Sequence, residues 1–198
     1  VGARGAPRSV ICSPVPVDVL TAEAVRAVAF TDMNNVLMTL VPSYSVGRQP
    51  ISDGGTFIRP ATLRGMPTDK TLVLVNSKRR HRAALVSIGG SGTQGPDIAT
   101  IPTAAIQSVE VLRDGAAAQY GSDAIAGVIN FQLKNNTEGG SFTADYGSYY
   151  EGDGDQITVT GNKGFALGDD GFFSISAEYS DSEATFRGEQ YCEPWFCV

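Results

Sequence analysis

The stretch 141–180 constrains the fold more than any other part of the chain, because it alternates. Within 141–148, Phe142, Ala144 and Tyr146 fall on one side, and Ser141, Thr143 and Asp145 on the other. Within 156–167, Ile157, Val159, Phe165 and Leu167 oppose Thr158, Thr160 and Asn162. Within 172–180, Phe173, Ile175, Ala177 and Tyr179 oppose Ser174, Ser176 and Glu178. Successive side chains of a strand point to opposite faces, so a period of two predicts strands with one apolar and one polar face. The sequence GDDG at 168–171 reads as a tight hairpin turn, and 149–155 as a longer polar connection.

Alternating segments of about 10 residues, joined by one short turn and one long loop, fit the strands of a transmembrane barrel. They also fit a soluble antiparallel meander with one wet face, and alternation alone does not separate the two. Lys163 lies on the apolar side and counts against the barrel, although near a membrane interface it costs only about 0–1 kcal/mol. No run of about 18 apolar residues occurs, so no membrane-spanning helix is expected. The opening residues VGARG lack the pattern of a signal peptide, which does not exclude export.

The first part of the chain has a different texture and reads as mixed helix and strand. A short strand is expected over 15–20, at a sheet edge because of its prolines. Thr21 is placed to cap a helix over 22–29, with Glu23 in its first turn. Thr31 is placed to cap a second helix over 32–40, which Pro42 ends. The run TLVLV at 71–75 predicts a buried strand, and 108–112 and 127–133 predict two more. The polar, glycine-bearing segment 134–140 separates this half from the alternating one.

Charge and composition exclude several functions. The net charge is −6, which argues against a protein that coats nucleic acid. The one basic run, Lys78, Arg79, Arg80, His81 and Arg82, has no interleaved aromatics and reads as a solvated loop. The single histidine leaves no basis for a catalytic triad, and no enzyme is expected. No metal site or cofactor is expected either: the cysteines Cys12, Cys192 and Cys197 lack zinc spacing, and 151–155 lacks the downstream glutamate of a calcium loop. Cys192 and Cys197 could close a small disulfide loop in an oxidising compartment, or be incidental.

Several stretches carry a resemblance. They are GAPRS at 5–9, SPVPVD at 13–18, RQPISD at 48–53, FIRPATLRG at 57–65, TLVLVN at 71–76, KRRHR at 78–82, IPTAAI at 101–106 and EVLRDGAAAQYGSDAIAGVINF at 110–131. In this order and spacing, they resemble the plug domain of TonB-dependent outer-membrane receptors, and 140–187 resembles the first barrel strands. The resemblance implies an α+β plug domain with a small mixed sheet and short helices over 1–136. It implies the first three antiparallel strands of an incomplete transmembrane barrel over 140–187, with 188–198 unassigned. Such receptors import scarce nutrients, commonly iron chelates, cobalamin or oligosaccharides, across the bacterial outer membrane. The inner-membrane TonB complex drives them through a box ahead of the plug. Val1–Arg4 resembles the last residues of that box, so most of it is expected upstream.

The resemblance also assigns residues. Arg64 and Arg113 match arginines that pair with glutamates on the inner barrel wall and latch the plug. From the residues alone, they are surface arginines paired with Glu110 or Asp114. Gly89, Gly90, Ser91, Gly92, Thr93 and Gln94 lack a phosphate-loop ending and are expected to form an apical loop near the ligand. The small residues 116–118, Gly121, Ala124, Ala126 and Gly127 are expected to keep the plug thin enough to sit against its own sheet and the wall.

The chain departs from the pattern in three places. Ser77 stands where a turn glycine is usual, Cys12 replaces a polar residue, and the chain carries about three strands where such transporters have about 22. Two other readings compete with a transporter: a free-standing plug-like binding or signalling module, and a truncated product without function.

Overall fold

The computed structural model describes residues 17–28, 30, 32–47, 54–87, 92–113, 117–168 and 171–185, and the backbone of 192–193 and 196–197. The first half opens with β1 (Val17–Thr21) and α1 (Ala22–Ala27). The Thr21 hydroxyl accepts the Ala24 amide at 3.3 Å, as the cap position requires. Helix α1 stops at Ala27, with Val28 extended at its end, shorter than the expected span to 29. Helix α2 (Met33–Leu40) is capped by Asp32 rather than Thr31, which lies outside the described residues. The Asp32 carboxylate accepts the Asn34 amide at 2.9 Å and pairs with Arg59 at 2.5 Å.

The chain continues through β2 (Tyr44–Ser45), β3 (Thr62–Leu63), β4 (Thr71–Val75), β5 (Lys78–Arg79) and β6 (Ile106–Leu112). After the short helix α3 (Ala117–Tyr120) comes β7 (Gly127–Leu133). One mixed sheet has the order β1-β6-β7-β4-β5, with β4 and β7 parallel and the other pairs antiparallel. Strands β4 and β7 lie inside the sheet with both faces covered, so they read as nearly continuous apolar runs. Strand β6 starts at Ile106, two residues ahead of the expected start.

The two faces of this sheet are covered unequally. On one, Val73, Val109, Val111, Ile129 and Phe131 pack against Met33, Val36 and Leu37 of α2. On the other, Leu72, Leu74, Leu112 and Val128 are covered by Ala124, with Val17 and Tyr120 at the margin. Of the small residues, Ala124 lies in this second layer and Ala126 in the core on the first face. Ala124 and Ala126 are fully buried, whereas Ala117 and Ala118 lie exposed on α3, and 114–116 lie outside the described residues. Gly127 is required where it stands. Its φ is +146°, and a Cβ there would meet the Leu112 carbonyl oxygen at 2.5 Å.

Three long strands follow: β8 (Gly140–Gly147), β9 (Gln156–Leu167) and β10 (Gly171–Ser182), paired antiparallel in the order β10-β9-β8. Their faces are inverted relative to a soluble meander. Thr158 and Asn162 are buried, while Phe142, Tyr146, Ile157, Phe165, Phe173, Ile175 and Tyr179 are exposed. Hydroxyls and amides join the inner face: Thr158 meets Ser180 at 3.0 Å, and the Asn162 amide donates to Ser176 at 2.9 Å and Ser174 at 3.0 Å. Lys163 points outward with the apolar set, its ammonium 5.9 Å from the centre of the Phe165 ring. The last pair, β11 (Cys192–Glu193) and β12 (Phe196–Cys197), places Cys192 directly opposite Cys197 in backbone register. No described helix is long and apolar enough to cross a membrane, which says nothing of strands.

Candidate functional site

The site of interest is the seam between the mixed sheet and the long strands, together with the arginines at the sheet ends. The turn between β4 and β5 shows how locally demanding this half is. Asn76 and Ser77 both have positive φ, +47° and +63°. A two-residue hairpin of this kind wants Asn-Gly, so Ser77 is strained as its identity suggests. The fold offsets the strain with side-chain amides. Asn76 Oδ1 accepts the Leu133 amide at 2.8 Å, and buried Asn130 accepts the Ser77 amide at 3.0 Å while donating to Glu110 at 2.9 Å.

Arg64 and Arg113 are brought together. Arg64 sits at φ +60° ahead of Gly65 at +67°, which turns the chain out of β3. Its Nη1 donates to the Arg113 carbonyl at 3.1 Å, across 49 residues of sequence. The Arg113 guanidinium takes Asp18 of β1, with Nη2 to Oδ1 at 3.0 Å and Nε to Oδ2 at 2.8 Å. Glu110 accepts from Asn130 in the adjacent strand, and Asp114 lies outside the described residues. Asp18 was not singled out from the sequence. The only signal was a lone acid between the valines of β1.

The basic run lies at the surface, with three of its arginines paired to neighbouring loops. Arg79 and Arg82 share the Asp123 carboxylate, at 2.7 and 3.1 Å, and Arg79 also donates to the Tyr120 carbonyl. Arg80 donates to the Asp97 carbonyl at 2.9 Å and to the Thr100 hydroxyl at 2.6 Å. These arginines staple β5 to the loops beside it. Of the glycine-rich loop, Gly92, Thr93 and Gln94 are described, and Gly89, Gly90 and Ser91 lie outside the described residues. Its base is closed by the Ser87 amide on the Thr93 carbonyl at 3.0 Å, with Gly92 at φ +69°.

The two halves meet at a 3-10 turn, Thr103–Ala105, just ahead of β6. Glu178 of β10 reaches this turn across 75 residues, and one carboxylate oxygen accepts both the Thr103 amide at 2.9 Å and its hydroxyl at 3.0 Å. The sequence held a signal for it, an acid on the polar face of an alternating strand. Beside this contact lies a cleft of about 470 Å³ between α1 and the inner face of β8 and β9, lined by Val25, Arg26, Phe30, Lys134, Thr143 and Thr160 among others. Burial, and then the charge of Arg26, hold the Lys134 ammonium below its ordinary pKa. Deeper in the first half, burial pushes the Tyr44 phenol well above its ordinary value, with Asp32 adding to the effect; its hydroxyl donates to Asn34 at 2.6 Å.

A small mixed sheet whose Thr103–Ala105 turn meets the polar face of strands that turn apolar side chains outward defines a class by its fold: a plug domain followed by the first strands of a barrel. The family comparison agrees, since residues 9–128 match the TonB-dependent receptor plug domain, and the chain belongs to that family. Among solved structures, it is similar to the siderophore receptor PirA from Acinetobacter baumannii, at 26% identity and TM-score 0.62, over 85% of this chain and 25% of that one. It is also similar to PirA from Pseudomonas aeruginosa, at 24% identity and TM-score 0.58, over 87% of this chain and 29% of that one. A variant of the ferric enterobactin receptor PfeA from Pseudomonas aeruginosa, solved with enterobactin, matches at 21% identity and TM-score 0.67, over 86% of this chain and 25% of that one. The chain thus spans about a quarter of the length of these receptors, and the last two likenesses speak for the fold alone.

Proposed function

We propose that this chain is the gate and first wall strands of a TonB-driven importer in the bacterial outer membrane, and that its cargo is a scarce nutrient, foremost an iron chelate. The observation that carries this reading is the inverted burial of β9 and β10, whose polar positions are more covered than their apolar ones. Polar side chains face the plug and apolar ones face away, an order suited to lipid outside and a hydrated lumen within. In this reading, Arg64 and Arg113 latch the plug to carboxylates of the barrel wall, which their convergence at one corner of the sheet supports. The loop of Gly89, Gly90, Ser91, Gly92, Thr93 and Gln94 stands on the ligand side, supported by its closed base at Ser87 and Thr93. Cobalamin and oligosaccharides are the other cargo classes.

The test is uptake in cells. The full reading frame that contains this chain, expressed in a receptor-deficient bacterium, is expected to restore accumulation of at least one labelled iron chelate, and only when TonB is present. Uptake that persists without TonB, or none across a panel of chelates, cobalamin and oligosaccharides, would overturn the proposal.

A further inference from the structure

The hairpin of β11 and β12 holds two of the three cysteines of the chain. Its strands pair antiparallel, with Cys192 opposite Cys197 and Glu193 opposite Phe196. Opposite positions of an antiparallel pair lie about 4.5–5.5 Å apart at Cα, inside the span of about 4.4–6.8 Å that a disulfide bridges. A slip of one residue would set Cys192 against Phe196 or Val198 and lose the match.

Neither length nor turn chemistry accounts for this register. Each strand has two paired positions, too few for a hairpin to stand alone in water. The two residues between the strands are Pro194 and Trp195. Twist-matched two-residue turns need a positive φ at their first position, which proline, fixed near about −65°, does not supply. A covalent bond between 192 and 197 supplies the tie that the turn does not.

The place of the hairpin in the chain suits such a bond. Strand β10 ends at Ser182, and the next residue, Glu183, donates its amide to the Asp155 carbonyl at 2.8 Å. The chain therefore leaves β10 beside the long connection 149–155, at the end opposite the 168–171 turn. In the import reading above, long connections lie outside the cell, away from the reducing cytosol.

We propose that Cys192 and Cys197 are joined by a disulfide that staples this hairpin on the outer side of the receptor. The bond forms by exchange with an organic disulfide, carried by a protein or a small molecule. One cysteine thiolate attacks it and releases a thiol, and the other cysteine then displaces the remaining half as a second thiol. The two cysteines give up two electrons and two protons, and the broken bond of the oxidant takes them up. The outer location rests on the import reading, whereas the bond rests on the register.

The test is thiol mapping of the 198-residue chain in detergent, equilibrated with oxidised and reduced glutathione, quenched by alkylation and cut with trypsin. Peptide 188–198 has no internal Lys or Arg, so the bond shows as this one peptide, unalkylated and lighter by a pair of hydrogens. The equilibrium constant for closing the bond is expected to be at least about tenfold higher in the native chain than in the same chain unfolded in urea, because the hairpin presets the pair. Alkylation of both cysteines in the oxidising buffer, a link from either to Cys12 or to a second chain, or equal constants in the two states would each overturn the proposal. Failure of the import reading would look different: cells would show no TonB-dependent uptake while the native chain still closed the bond. That result would leave the staple in place and remove only its assignment to the outer side.

Discussion

Single residues in this protein carry strain and charge that the surrounding fold must hold. Ser77 sits at φ +63°, where a side chain costs about 1–2 kcal/mol and glycine costs some chain entropy instead. Ser77→Gly is expected to stabilise the fold by about 0.5–1 kcal/mol in denaturant unfolding, with the midpoint moving up and the slope unchanged. Lys134 makes the opposite case, a charge that the fold disfavours through burial and then Arg26. Because its folded pKa lies below the ordinary 10.5, the unfolded chain binds more protons between the two values. Stability from this group is therefore present in full above 10.5 and is lost as pH falls through the folded value. Lys134→Met is expected to stabilise by about 0.2–0.5 kcal/mol at neutral pH, after solvent screening, and the gain should vanish as pH rises past the ordinary lysine range. A gain independent of pH would mean that packing, not charge, is the cause.

At the scale of elements, the decisive contact joins a turn and a strand far apart in sequence. Glu178 makes two charge-assisted hydrogen bonds to Thr103 from one oxygen. Glu178→Ala is expected to speed exchange of the Thr103 amide roughly tenfold, equivalent to about 1.4 kcal/mol of local stability, with β4 unaffected. Glu178→Gln keeps an acceptor and should fall between. The strands themselves were legible from period and composition: the bounds of β4, β7 and β9 match the expected runs, because each is a continuous apolar or alternating stretch ended by a turn. Helix starts were less legible. Thr31 and Asp32 are both good caps by residue type; Asp32 is the one that caps, and it also pairs with Arg59.

For the whole molecule, the outward apolar face of β8–β10 is the property that dominates solution behaviour. Phe173, Ile175 and Tyr179 form an exposed row on β10, at 51%, 53% and 66%. Replacing these three by serine is expected to reduce the detergent needed to keep the chain monomeric, measured by size-exclusion chromatography. Replacing Ser174 and Ser176 on the inner face by alanine should leave that requirement unchanged. If both sets behave alike, the outward face is not the lipid-facing one. The candidate site was half legible in the same sense. Arg64 and Arg113 stand out by position, but their mutual contact and the Asp18 partner depend on strands that cross 49 and 95 residues of chain.

What the sequence determined by itself was periodicity: three two-faced strands after residue 140, and a strand-rich half with small residues before it. Periodicity follows from backbone geometry one residue at a time, so it needs no knowledge of distant neighbours. What only the tertiary structure decided was which face is inside and which acid meets which arginine. A strand with one polar and one apolar face is the same strand in a soluble meander and in a barrel wall. The Thr103–Ala105 turn, held against the polar side by Glu178, marks that side as the inner one.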